Sequence, residues 1–504
     1  MKDSQKINII GGGVAGLAAG IYGRLNGFDV TIFEMGQRTG GVCNSWEIAG
    51  YNVNGSIQWL VGSAPGIDFY KMWKELGVLD DMDFHYHDSF IEYKNIQGVD
   101  VHFYTDPNRL QQHLLSISPV DARLIGDLIH NIKLLSEANL TIGRAFDLLH
   151  AGNWTKVFTE NIFGADVLEK YNHMSVRNFA KKFKSKIIKK AFENFWSPDM
   201  SMSFMLLQLS YAANRIAGYP IGGSGRFMEQ LTKRYTDLGG KLVLGQKVTK
   251  ILIEKNQAVG IQTEDSICHY SDYVISACDG TTVLLNLLEK NRADERTMDA
   301  YRTLETFPSL VYFSAGINRT FEEVDSSIIG LNIPLDRKLR VGNFKHQRVS
   351  FQIYNFDPTT SPLRKTLVTA ILDSDYEYWK KLHDQGEKPY SKEKSRIGKE
   401  LLKNLEREFP GISGQVDFID IATPITYEKW TGNHNGSYKG WLPTPESTKT
   451  KISRHFPSLK RFYMAGHWVA TGGGLPPAAY SGREAIQEIC ISEKILFEAD
   501  TILK

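Results

Sequence analysis

Three glycines and one carboxylate near the start of the chain have the types and order that hold a dinucleotide. The run Gly11-Gly12-Gly13-Val14-Ala15-Gly16 fits Gly-x-Gly-x-x-Gly, and Glu34 closes the next apolar run. Gly11 permits a tight turn out of a strand. Gly13 lets the backbone approach a pyrophosphate, and Gly16 lets a helix lie close to the strand. Val14, Ala15 and Gly16 then open a helix whose free amides and positive dipole end receive the pyrophosphate. Glu34 is placed to accept hydrogen bonds from a ribose diol and to disfavour a 2′-phosphate, so the nucleotide half is expected to be plain ADP. A glycine-rich turn alone has other uses; here a strand before, a helix after and an acid in place agree with one another.

Those residues need particular elements around them. Residues 7–10 are apolar apart from Asn8, a short run that suits a strand buried on both faces. Val14, Leu17, Ala18, Ile21 and Leu25 recur at helical spacing, and Gly27 is a left-handed helix stop. Residues 28–33 read as a second strand, completing a strand-turn-helix-strand unit. Residues 85–215 read as mostly helical, with Trp154, Phe158, Phe179, Phe183, Phe192, Phe195 and Trp196 among the bulky members. Residues 241–244, 248–254, 258–263 and 273–277 read as short strands, with Gly245, Asn256 and Asp265 in the turns. Residues 300–440 mix strands with a charged helix near 392–409. The chain closes on a strand at 462–465, a glycine-rich loop and a helix from about Pro477. There is no internal repeat and no low-complexity segment.

Composition narrows the classes. A chain of 504 residues buries a large core and predicts more than one domain. Its 42% hydrophobic and 23% charged residues are those of a soluble globular protein. A net charge of +2 argues against bulk capture of nucleic acid. The four cysteines, Cys43, Cys268, Cys278 and Cys490, form no Cys-x-x-Cys pair, so neither a disulfide framework nor a zinc site is expected, and a reducing cytoplasm fits. In Phe84-His85-Tyr86-His87 the histidines alternate as on a strand without a carboxylate-rich partner, and no metal site is expected. No run approaches the ~20 apolar residues of a spanning helix, which leaves peripheral membrane contact as the only kind expected. Residues 177–190 bear on that contact. They carry Lys181, Lys182, Lys184, Lys186, Lys189 and Lys190 with no acid, while Phe179, Phe183, Ile187, Ala191 and Phe195 follow at four-residue spacing. A core-packed helix with a solvated basic face is the plainer reading; a helix lying on the inner, anionic face of a membrane is the other.

Further motifs extend the first. After Glu34 come Met35-Gly36-Gln37-Arg38-Thr39-Gly40-Gly41. Tyr219-Pro220-Ile221-Gly222-Gly223-Ser224-Gly225 precedes a helix, followed by Gly239-Gly240-Lys241 and Val248-Thr249-Lys250-Ile251. Near the end stand Thr423-Pro424-Ile425-Thr426-Tyr427-Glu428-Lys429-Trp430-Thr431-Gly432 and Gly436-Ser437-Tyr438-Lys439-Gly440. Then come Phe462-Tyr463-Met464-Ala465-Gly466-His467-Trp468, Thr471-Gly472-Gly473-Gly474-Leu475-Pro476-Pro477-Ala478, and Ser481-Gly482. Together they resemble the carotenoid (phytoene) desaturase and retinol saturase-like family, within the flavin amine oxidase superfamily.

The resemblance implies FAD. Gly40 and Gly41 would wrap its ribose and phosphates with Arg38, although Gly36 and Val42 stand where that superfamily usually has further arginines. The backbone of Val248 would meet adenine. Gly466, Gly474, Leu475 and Ala478 would face the flavin pyrimidine ring with backbone amides and a helix start. The implied fold class is α/β, with a Rossmann-like FAD-binding domain assembled from residues 1–84, 216–295 and 450–504. An interleaved α+β substrate-binding domain takes 85–215 and 296–449, with its helical part at 110–215. The implied reaction is desaturation, saturation or isomerisation of carbon-carbon bonds in a long apolar polyene or isoprenoid-like lipid. Pro477 stands where a second Gly-x-Gly-x-x-Gly would need its last glycine, so NAD(P) is expected only as a transient electron donor or acceptor.

No catalytic residue is singled out. Gln58, Trp59, His434, His467 and Trp468 lie in motifs expected near the flavin, with structural roles equally open. Two other groups share the architecture: flavin amine oxidases, where Trp430 or Trp468 would serve an aromatic cage, and prenyl-lipid carriers of the GDP-dissociation-inhibitor type, which need no flavin. Intact glycines at both ends, with Glu34, argue against the carriers.

Overall fold

The strand Lys6–Ile10 buries four of its five residues, so it needs cover on both faces. It takes the centre of a five-stranded sheet, in the order Lys241–Val243, Asp29–Phe33, Lys6–Ile10, Tyr273–Ser276, Phe462–Met464. Every pairing is parallel. Ile9 sits between Ile32 and Ile275 in register. Segments far apart in the chain thus build one nucleotide-binding-type sheet. The computed structural model describes residues 4–137, 162–288, 292–450 and 452–499; Trp154 and Phe158, expected in a helical region, lie outside them.

The helix Val14–Leu25 is buried from Val14 to Gly23, because it lies between that sheet and the last helix, Leu475–Glu493. Small residues allow the contact. A Cβ on Gly482 would stand 2.4 Å from the Ala15 carbonyl oxygen. A Cβ on Gly16 would stand 1.9 Å from that of Gly11, so this glycine is required by close approach.

A seven-stranded sheet forms the second layer. Its order is Val416–Ala422, Ser309–Ile317, Thr366–Ser374, Phe344–Ile353, Ile328–Val341, Ser89–Ile96, Val99–Tyr104. The pairing of Ile328–Val341 with Ser89–Ile96 is parallel; the others are antiparallel. One face is covered by the helices Tyr376–Asp384 and Glu387–Glu408, where Trp379, Ile397, Leu401 and Leu405 meet Phe313, Ile333, Val349 and Phe351. A smaller antiparallel sheet joins Val248–Glu254, Gln257–Thr263 and Cys268–Tyr270. The α/β class with an interleaved mixed sheet is the one expected.

Local differences from expectation have physical causes. Residues 85–104, read within a helical region, contribute the strands Ser89–Ile96 and Val99–Tyr104. The first buries Ser89, Phe90, Glu92, Tyr93 and Ile96, without clean alternation, because helices cover its outer side. The basic helix expected across 177–190 is two helices, Val176–Ala180 and Lys186–Glu193. Ser185 caps the second by accepting from the Ile188 amide, and the Asp121 carboxylate accepts from the Lys184 and Ser185 amides, which breaks the helix there. Phe179, Phe183, Ile188 and Phe192 are buried, while Lys181, Lys182, Lys184 and Lys186 are exposed. The charged helix begins earlier than expected, at Glu387, and the final helix at Leu475. Among the described residues, no helix is long and apolar enough to cross a membrane.

Candidate functional site

A cavity of about 1400 Å³ lies at the carboxyl ends of the parallel strands, where Ile10, Phe33, Ala277 and Gly466 come to the surface. Open α/β sheets bind ligands at this edge because the helix N-termini point there. The far wall of the cavity is the seven-stranded sheet.

The first glycine motif and Glu34 meet at one end. The Glu34 carboxylate is buried and accepts from the Gly12 amide (2.7 Å, Oε2) and the Gly36 amide (2.7 Å, Oε1). Burial raises its pKa, and the amides of Gly36, Gly12 and Met35 oppose the rise. The strand end thus presents an acceptor beside the turn. Gly40 lies alongside it, bridged to Gly13 and donating to the Gly12 carbonyl at 3.0 Å. A Cβ on Gly41 would stand 3.6 Å from Gly13 Cα, so the two glycine motifs form one surface.

The C-terminal motif closes this surface from the other side. Gly466 lies next to Ala15, and its amide donates to Ser481 Oγ at 2.7 Å. The hydroxyl in turn donates to the Ala478 carbonyl, which ties the loop to the first turn of the last helix. Gly472, Gly473 and Gly474 all have positive φ. A Cβ on Gly473 would stand 2.4 Å from the Lys439 carbonyl oxygen, so this loop lies directly on the Tyr438–Gly440 segment. The helices at Val14 and at Leu475 have glycine N-caps without a side-chain cap bond, and both starts line the cavity. Two uncapped helix starts with glycine cradles, facing one large space, fit a dinucleotide with a ring system attached.

Of the residues expected to hold a cofactor, Gly11, Gly13, Val14, Ala15, Glu34, Gly40, Gly41, Val248, Gly466, Gly474, Leu475 and Ala478 all line this cavity. Gly16 does not; it packs the helix onto the strand. Arg38 does not either. It is exposed and borders a smaller depression with Trp46, Asp81 and Glu229.

The wall beyond this end is aromatic. The Trp59 indole is stacked on that of Trp196 at 5.6 Å and meets Phe90 edge-on; its Nε1 donates to Gln208 at 3.1 Å. Gln58, His434, His467 and Trp468 also line the cavity. Burial lowers the His467 pKa to about 4, so the imidazole is neutral near pH 7. Trp468 lies edge-on to Trp441 at 5.0 Å. Trp430 is 41% exposed, packs edge-on against Trp46 and is absent from the cavity wall, which removes it from an aromatic cage.

Sequence reasoning missed Trp196, Phe90 and the polar face of the strand Phe344–Ile353. On that strand His346, Arg348, Ser350 and Gln352 face the cavity at alternate positions. Their alternation was legible; that the face borders a cavity was not. Among the described residues no group of three or more His, Cys, Asp or Glu is placed to hold a metal ion.

The family model for flavin containing amine oxidoreductases matches residues 14–490, which span both the glycine-lined end and the sheet wall. The chain belongs to this family. It is a flavin-dependent oxidoreductase with relatives in the retinol reductase, prolycopene isomerase and carotenoid desaturase group. It is 22% identical to the inactive all-trans-retinol 13,14-reductase of Danio rerio, over 94% of this chain and 83% of that one. It is 22% identical to the 1-hydroxycarotenoid 3,4-desaturase of Flavobacterium sp. (strain P99-3), over 95% and 98%. The chloroplastic prolycopene isomerase of Arabidopsis thaliana is 21% identical, but over 57% of this chain and only 47% of its own length. The solved structure of wild-type putrescine oxidase bound to putrescine has the same fold, with a TM-score of 0.61 at 13% identity over 97% of this chain and 99% of that one.

Proposed function

We propose that the bound flavin is FAD, and that the chain desaturates, saturates or isomerises carbon-carbon bonds of a long apolar polyene or isoprenoid-like lipid. The carrying observation is a single cavity of about 1400 Å³ that joins a glycine-lined cradle to a wall of stacked indoles. Ligand pockets usually enclose about 300–1,000 Å³, so this one has room for a dinucleotide and a second, extended molecule. The named activities of the prolycopene and carotenoid relatives support the same substrate class.

When bound, the flavin supplies two-electron chemistry between a substrate carbon and its N5. The chain's own residues do the rest. Gly11, Gly13, Val14, Ala15, Gly40 and Gly41 would hold the pyrophosphate and ribose with Glu34, packed by Gly16. Val248 would meet adenine; Gly466, Gly474, Leu475 and Ala478 would present amides to the ring. Arg38 would serve only if its exposed side chain swung inward. The aromatic wall excludes water and aligns the polyene, so that much of the rate comes from placement rather than from an acid-base pair. We assign the FAD-binding unit to residues 1–84, 216–295 and 450–504, and the substrate unit to 85–215 and 296–449. NAD(P) would act only as a transient electron partner. Delivery of a lipid substrate fits peripheral contact with an anionic membrane face; flotation with anionic vesicles that fails in high salt would support it.

A visible spectrum of the purified protein, with mass analysis of co-purified lipids, tests the reading. Flavin bands and polyene or isoprenoid lipids are expected. Peroxide release with amines but not polyenes would make the chain an amine oxidase. A colourless protein that FAD does not reconstitute would make it a prenyl-lipid carrier.

A further inference from the structure

The strand Phe344–Ile353 turns Val349, Phe351 and Ile353 into the core under the covering helices, and His346, Arg348, Ser350 and Gln352 toward the cavity. A substrate that was hydrocarbon throughout would dehydrate this row and give nothing back.

Most of the row is tied into the protein. Ser350 Oγ accepts from Asn332 Nδ2 at 2.9 Å, and Gln352 Oε1 accepts from the Tyr354 hydroxyl at 3.1 Å. Arg348 donates to Asn332 Oδ1 and to the carbonyls of Asn332, Lys94 and Asn95. All four acceptors are neutral, and among the described residues no carboxylate lies within 4.0 Å of the buried guanidinium; Asp100 acts on it from farther off.

A second cation faces the same space. Lys439 lines the cavity, and its Nζ lies 5.3 Å from the Phe307 ring centre and 5.1 Å from that of Tyr438. Among the described residues it makes no hydrogen bond and no ion pair within 4.0 Å. The carboxylate that acts on it is Asp373, which also feels His346, while His346 Nε2 lies 2.9 Å from the Asp373 carbonyl oxygen. His346 and Arg348 are two residues apart on one strand face, about 7 Å along it. Lys439, Asp373 and His346 are therefore neighbours, whereas the Arg348 guanidinium reaches the other way across the sheet, to Asn332 and the carbonyls of Lys94 and Asn95. Burial raises the Asp373 pKa, with His346 and Lys439 opposing the rise, so burial weakens the carboxylate that faces Lys439.

We infer that the substrate is amphiphilic, with an apolar body and a carboxylate, and that Lys439 is the residue that selects it by taking the carboxylate at its Nζ. The inference rests on the polyene reading above and narrows it from hydrocarbon to acid. A cation over aromatic rings keeps its charge in a dry site while leaving its donors free for an incoming oxygen.

The test uses the FAD-loaded protein and two probes that share ring and chain, all-trans-retinoic acid and retinol. Dissociation constants come from quenching of protein fluorescence at pH 7, for the wild type, Lys439→Met and Lys439→Arg. Flavin content and Tm of each variant check that it is folded. The wild type is expected to bind the acid at least about tenfold more tightly than the alcohol, the size of one charge-assisted hydrogen bond. Lys439→Met should lose that ratio by weakening only the acid, and Lys439→Arg should keep most of it. Equal binding of the two probes by the wild type overturns the inference and leaves the polyene reading standing. So does a Lys439→Met protein that shifts the flavin spectrum but keeps the acid-to-alcohol ratio, since Lys439 would then serve the flavin. Failure of both probes to bind the yellow protein removes the inference and the polyene reading together.

Discussion

Single side chains in this cavity are expected to act separately. Glu34 ties the amides of Gly12 and Gly36 together at the end of its strand. Glu34→Ala leaves both amides without this acceptor, which costs about 1–3 kcal/mol per buried group. The variant should purify with less flavin, read as the ratio of visible to ultraviolet absorbance; full occupancy would remove Glu34 from the cofactor site. Lys439 is predicted to carry a pH response. Burial lowers its pKa to about 8 while Asp373 opposes the shift. Its charge is therefore present at pH 7 and lost as the pH rises through about 8. Preference for an acid over the matching alcohol should fall between pH 7 and 9, and Lys439→Arg, which stays charged, should hold it across that window. The other titratable groups facing it are Asp373 and Tyr438 with His346 beyond. His467 is neutral from about pH 5 upward, so it does not add to this change.

Elements carry the next set of expectations. The first and last helices touch backbone to backbone, since a Cβ on Gly482 would stand 2.4 Å from the Ala15 oxygen and 2.8 Å from the Ala19 nitrogen. Neither neighbour is a flexible side-chain tip, so Gly482→Val has to move a helix. Overpacking of this kind costs about 1–3 kcal/mol. A fall in Tm together with loss of flavin is expected, because both helix starts line the cavity; loss of neither would show that the pair can separate freely. The break in the basic segment is also an element property. Asp121 accepts from the Lys184 and Ser185 amides and from the Ser118 hydroxyl. Asp121→Ala should therefore lower stability, by about 1–3 kcal/mol in chemical denaturation, while Lys181→Gln and Lys182→Gln, on the exposed side, should stay within about 0.5 kcal/mol. Alternation and capping residues announced most of these elements. The exception is Ser89–Ile96, whose sequence lacks a clean period because it is covered on one side by helices and joins a sheet in which every strand but its hairpin partner Val99–Tyr104 comes from beyond residue 308.

At the scale of the whole molecule, the cavity is assembled from segments around residues 11–41, 248, 346–373 and 434–478. A ligand that touches several of them binds the folded chain and not the unfolded one. FAD at about a hundred times its dissociation constant should add about 2.7 kcal/mol of stability, read as a rise in Tm over the flavin-free protein; an unchanged Tm would mean that FAD does not bridge these segments. The sequence alone marked the proposed nucleotide end: Gly11, Gly13 and Gly16 with Glu34 specify their own turn through local sterics, and the resemblance carried by the Gly40-Gly41 pair and the Gly472–Gly474 loop narrowed an unspecified dinucleotide to a flavin. Short-range constraints of this kind are visible in short motifs. Only the tertiary structure decided that Arg38 and Trp430 lie outside the cavity, that Trp59 meets Trp196, and that Lys439 shares a wall with Arg348. Those relations join residues tens to hundreds of positions apart, and they depend on which face of a strand or loop the packing of distant elements turns inward.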